Sequence, residues 1–126
     1  MSSVPGDLTY TEEHEWMRVV DGVATIGITD YAQDALTDVV WVELPMIGDQ
    51  VKSMEAFASV ESVKSVSEIY APISGEVVEV NEVLETTPEV VNEDPYGEGW
   101  ICKIRLDSEE SSKLLDAQKY KALIGD

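Results

Sequence analysis

Short apolar and β-branched stretches recur from Trp16 to Leu106, and almost every one is stopped by glycine, proline or an Asp-Gly pair. No helix of ordinary length fits between stops this close together, but strands do. "WMRVVDGVATIGIT" (16–29) reads as a β-hairpin, because Asp21-Gly22 is the two-residue turn that tolerates positive φ. "VVWVELP" (39–45), "AFASVES" (56–62), "EIYAPIS" (68–74) and "GEVVEVN" (75–81) read as further strands, with strand entry also over "MIGDQV" (46–51). "WICKIRL" (100–106) alternates, placing Trp100, Cys102, Ile104 and Leu106 on one face and Ile101, Lys103 and Arg105 on the other.

Helical pattern is scarce. "TDYAQDAL" (29–36) pairs Tyr31 with Ala35 and Ala32 with Leu36 behind a Thr29 or Asp30 cap. Thr87 before Pro88 opens one helical turn in an otherwise aperiodic stretch, 82–100. Residues 107–124 read as a terminal helix capped by Asp107, with Glu110 three residues on and a stripe of Leu114, Leu115, Tyr120, Leu123 and Ile124. The pattern predicts a mostly β domain, a sandwich or barrel, with short helices and a C-terminal helical segment over one domain, 1–126. "IGDQV" before one arm and "GEVVEV" after the other form a loose echo about residues 62–66.

Charge narrows the partners. Eight Lys and Arg against 26 Asp and Glu give a net charge of −18. Nucleic acid and anionic membranes repel such a chain, and electropositive proteins attract it. No apolar run is long enough to span a bilayer. The first ten residues lack both a secretory pattern and an Arg-rich transit pattern, so the expected location is cytoplasmic and bacterial in type. One cysteine fits a reducing compartment.

Few residues carry chemistry. His14 is the only histidine and cannot build a His-based zinc site. In a strand it would point away from Glu13 and Glu15. Cys102 reads as a buried, inert thiol. No phosphate-binding, dinucleotide-binding, calcium-loop or nucleophile-elbow motif occurs, which disfavours a standalone enzyme. Lys64 stands apart. Residues 62–66 are the least apolar point between two strand-like arms, which suits a hairpin tip that presents a side chain on a rigid base.

"ESVKSVSEIYAPISGEVVEVN" closely resembles the lipoyl-attachment segment of the glycine cleavage system H-protein family. "ESVK" carries the modified lysine there, with a glycine eleven residues on, here Gly75. "YTEEHEW", "VATIGITDYAQDAL", "VVWVELP", "VNEDPYGEGW" and "LLDAQKY" look like the same family in the same order. Neither the "DKA" of 2-oxo acid dehydrogenase lipoyl domains nor the "MKM" of biotin carriers is present. Ser65 and Glu68 stand where Ala and Asp are common in the family.

The resemblance implies a barrel-sandwich hybrid bearing lipoate as an amide on Lys64. It implies a carrier, not an enzyme, serving three partners. A pyridoxal-phosphate glycine decarboxylase loads an aminomethyl group onto the arm. A tetrahydrofolate-dependent aminomethyltransferase removes its methylene. A dihydrolipoyl dehydrogenase reoxidises the dithiol. Lipoate-attaching enzymes are implied as well. It further implies a sheltering cleft near "EEHEW" and the residues after "ESVK", with Glu15, Glu13 and Glu68 as candidate partners for the cationic amine. An H-like protein that relays lipoate to another system is the alternative.

Overall fold

A computed structural model describes residues 3–107 and 114–125. Among the described residues, nine strands form two antiparallel sheets. β1 (Thr9–Tyr10), β2 (Glu15–Val20), β3 (Val23–Ile28), β9 (Cys102–Leu106), β8 (Gly75–Val80) and β5 (Gln50–Val51) lie in that order in the larger sheet. β4 (Val39–Glu43), β6 (Ala56–Ser62) and β7 (Val66–Tyr70) make the smaller. The core between them joins Ile26, Val77 and Ile104 of one sheet to Val42, Val60 and Ile69 of the other. The mostly β expectation therefore holds, as two stacked sheets; among the described residues no strand pairing closes a barrel.

The predicted first hairpin is present as β2 and β3, in the register Val20↔Val23. Asp21 and Gly22 have φ of 53° and 77°, the left-handed pair that a twisted two-residue turn demands. The loose echo has a concrete counterpart. β5 pairs with β8, and β6 pairs with β7. Residues 50–80 are thus one long hairpin that leaves the larger sheet, crosses to the smaller, turns at 63–65 and returns. Gly75 is where it rejoins the larger sheet. A β-carbon there would collide with the backbone carbonyl of Arg105, so the glycine permits close strand approach.

Helix α1 (Asp30–Leu36) begins as expected, with the Thr29 hydroxyl accepting from Ala32 N–H at 3.2 Å. Two single turns, α2 (Val83–Thr86) and α3 (Val90–Glu93), bury Leu84 and Val91. The turn expected to open at Thr87-Pro88 is there, but α2 was not anticipated.

The terminal helix needs correction. α4 spans Ala117–Ile124 and is capped by Asp116, whose carboxylate accepts from Lys119 N–H at 2.8 Å. Leu115 exchanges backbone hydrogen bonds with Tyr10 at 2.7 and 2.8 Å, so the chain there is extended. Of the helix expected over 107–124, residues 108–113 lie outside the described residues. Ile101, expected to share a face with Lys103 and Arg105, is buried; it precedes β9, and its N–H donates to Ile26 O.

α4 covers a second, smaller cluster of Leu8, Tyr10, Trp16 and Tyr120. Tyr10 and Tyr120 stack at 4.7 Å between centroids. Cys102 is fully buried in the main core. Burial drives its thiol up to about 12.

Candidate functional site

The turn between β6 and β7 is built by one serine. Ser62 is buried, and its hydroxyl accepts from Lys64 N–H at 3.3 Å and Ser65 N–H at 3.1 Å. The same hydroxyl donates to Ser65 O at 3.2 Å, and Ser62 N–H donates to Ser65 O at 2.8 Å. A side chain that caps its own turn is the usual role of serine at such places. Val63 N–H adds a bond to Asp38 O at 3.1 Å, tying the tip to the start of β4. Lys64 is exposed on this held tip.

Beside the tip lies a cleft of about 310 Å³ between α1, the 11–15 turn and β7, the free edge of the smaller sheet. Ser65 and Val66, the two residues after Lys64, belong to its wall. Ile28, Ala32, Leu36, Val60 and Ile69 give it an apolar floor. Glu13, Glu15 and Glu68 all line it, so chain segments more than fifty residues apart meet at one place.

The three carboxylates are not equivalent. Glu13 and Glu68 are exposed; Glu15 is 1% exposed. Thr11 Oγ1 donates to Glu15 Oε1 at 2.5 Å, and Tyr70 N–H donates to Oε2 at 3.1 Å. Desolvation outweighs those two bonds and lifts the Glu15 carboxyl to about 7. In a strand His14 would oppose Glu13 and Glu15, but no strand runs through it. Strand β2 starts only at Glu15, and His14 sits at φ 73° in a tight turn. Thr11 causes this, its hydroxyl accepting from both Glu13 N–H (3.2 Å) and Glu15 N–H (3.1 Å).

His14 Nδ1 lies 2.8 Å from the Tyr120 hydroxyl, which is 2.7 Å from Thr29 Oγ1. Desolvation lowers the histidine, with nearby Glu13 opposing. Its ring rests on Tyr31, another cleft residue, at 4.8 Å. Helix α4 thus braces the cleft from behind. Thr11, Ser62 and Tyr120 were not singled out from sequence. The serine had a signal, since S-x-x-S across a hairpin tip is a turn-capping pattern. Tyr120 had none beyond its place in an apolar stripe. Among the described residues no group of acidic, cysteine or histidine side chains is arranged to hold a metal. No helix among them is long and apolar enough to cross a membrane.

Comparison with known proteins agrees along nearly the whole length. The family described as Glycine cleavage H-protein matches residues 8–126. A glycine cleavage system H protein of Symbiobacterium thermophilum is 55% identical over 123 residues, covering 97% of this chain and 96% of that one. One from Rubrobacter xylanophilus is 54% identical over 120 residues, covering 95% and 94%. The crystal structure of a glycine cleavage system H protein from Mycobacterium marinum superposes with a TM-score of 0.92 at 39% identity, covering 98% of this chain and all of that one. With its two sheets and its matched length in agreement, the chain belongs to the glycine cleavage H-protein family.

Proposed function

We propose that Lys64 carries lipoate as an amide on Nζ. The family's role is that of lipoyl carrier in the glycine cleavage system, and this chain has that role. The observation that carries the proposal at Lys64 is an exposed lysine on a turn fixed by Ser62, next to a cleft whose wall begins at the following residue. A lysine is a suitable handle, since its long stem projects the group and acylation removes its charge. The apolar floor suits a hydrocarbon chain with a ring at its end, and the volume is that of a small-molecule site. When bound, lipoate supplies a disulfide that accepts a group and two electrons.

The protein's own residues hold, orient and shelter. Ser62 sets the origin of the arm. Ile28, Ala32, Leu36, Val60 and Ile69 exclude water from the cleft floor. Glu13 and Glu68 offer exposed carboxylates at its wall for a cationic amine. Glu15 sits deeper, held by Thr11 and Tyr70. At about 7 it supplies charge only in part near neutrality. Any cation beside it would draw it down toward full ionisation.

The carrier visits the pyridoxal-phosphate glycine decarboxylase, the tetrahydrofolate-dependent aminomethyltransferase and the dihydrolipoyl dehydrogenase. The charge of −18 favours brief docking on electropositive faces. The test is peptide mapping after incubation with a lipoate ligase, lipoate and ATP. One lipoyl group on the peptide containing Lys64 is expected. Lipoate elsewhere, or none, would sink the assignment.

A further inference from the structure

Trp41 is 55% exposed on the outer face of the smaller sheet, where a tryptophan has little reason to sit unless something covers it. The fold turns it outward on purpose. The pairing of β4 with β6 slips between Val39 and Trp41, so Val40 is an extra residue and neither Val40 nor Trp41 enters the core. Trp41 then lies directly opposite Glu61, and Glu61 directly opposite Val66. Residues opposite one another share a face, a side chain's width apart. One row across three strands therefore reads Trp41, Glu61, Val66. Val66 and the tip residue Val63 are 65% and 67% exposed. The next outward row holds Glu43, Ser59 and Glu68. Lys64 stands two residues beyond Val66's end of the first row.

We propose that this row is the docking surface for the enzyme that attaches lipoate to Lys64. This rests on the carrier reading above and names the partner for one of its steps. Reach selects the occupant. Five bonds separate the lysine Cα from Nζ, roughly 6 Å when extended. An enzyme that acylates Nζ must therefore cover the tip and its immediate surroundings. Once acylated, the arm reaches roughly twice as far, so enzymes that act on its end need not touch the row. Charge selects the occupant's chemistry: an apolar slot for Trp41 with lysine or arginine at its rim to meet Glu43, Glu61 and Glu68.

The step served forms the amide bond between Nζ and the carboxyl carbon of a lipoyl adenylate. It breaks the carbon–oxygen bond to phosphate and expels AMP. The lysine ammonium gives up two protons in all, one before attack and one after.

The test uses the full chain without lipoate as substrate for a lipoate ligase supplied with lipoate and ATP. Trp41→Ala should lower kcat/KM for attachment roughly tenfold to thirtyfold, with Trp41→Phe in between. Val63→Ser, on a tip side chain that is 67% exposed and lies outside both the core and the cleft, should lower it roughly threefold and reads the same surface if Trp41→Ala melts early. Each variant, driven to full lipoylation with excess ligase, should be reduced by dihydrolipoyl dehydrogenase and NADH within twofold of wild type. Attachment rates equal to wild type in both Trp41→Ala and Val63→Ser overturn the proposal and leave the carrier reading standing. Equal losses in attachment and in the dehydrogenase reaction overturn the choice of the attaching enzyme. A wild-type chain that takes no lipoate at Lys64 overturns the carrier reading, and this surface with it.

Discussion

Two hairpins reverse the chain in this protein by different means. Between β2 and β3, Asp21 and Gly22 do so with backbone geometry alone, and the tip around them is solvent-exposed. Between β6 and β7 the tip is fastened. The Ser62 hydroxyl bonds three backbone groups, Val63 is tied to Asp38, and the far end of β7 is held to β2 where Tyr70 N–H meets Glu15. A turn that only has to reverse direction needs the right φ. A turn that must hold one side chain where an enzyme can find it needs bonds to the rest of the fold.

The contrast breaks most sharply at the lysine. Lys64→Arg keeps charge and length but cannot accept lipoate, so attachment should fall to nothing; a lipoylated Lys64→Arg chain by intact mass would refute the assignment. Glu15, the tie at the base of the second hairpin, gives the next largest effect. Its carboxyl, ordinarily at 4.5, is held at about 7 by burial. Below 4.5 it is protonated whether folded or not, and it costs nothing. Between the two values only the unfolded chain releases the proton, so stability is lost as pH rises. Between pH 5 and pH 8 that loss is about 2–3 kcal/mol. Urea melts of wild type and Glu15→Gln at both pH values should differ by that amount in their pH dependence. The amide's single oxygen leaves either Thr11 or Tyr70 short of an acceptor, a cost that does not vary with pH. Parallel pH profiles for the two proteins would remove the buried carboxyl from the account.

Smaller effects sharpen the comparison. Ser62→Ala should cost about 1–2 kcal/mol, because the freed N–H groups lie at an exposed tip where water replaces part of what is lost. It should also slow attachment at Lys64 several-fold. Gly22→Ala should cost about 1 kcal/mol, since φ is +77° and a methyl there meets no atom within 4 Å. Attachment should be unchanged. If Ser62→Ala melts earlier yet takes lipoate at the wild-type rate, the fastened tip is a matter of stability alone.

Local chemistry made much of this legible. Asp21-Gly22, the Thr29 cap and the polar break at 62–66 each act within a few residues, and each appears where the sequence puts it. What stayed hidden depends on distant partners. Nothing local marked the stretch around His14 as a turn, but Thr11 captures two backbone N–H groups and folds it into one. A helical stripe suggested one helix from Asp107, but Leu115 pairs with Tyr10, and helix α4 starts only at Ala117. The cleft needs β7, α1 and the 11–15 turn side by side, and only the folded chain brings Glu13, Glu15 and Glu68 together.

The burial of Cys102 has a chemical consequence. Sulfur exchanges with a disulfide as the thiolate, and only where it can be reached. The sole cysteine of this chain is sealed inside the sandwich with its thiol at about 12. At neutral pH it offers neither thiolate nor access. With lipoate on Lys64 as proposed, the chain would have no thiol of its own able to open that disulfide, and its redox state would be left for partner enzymes to set.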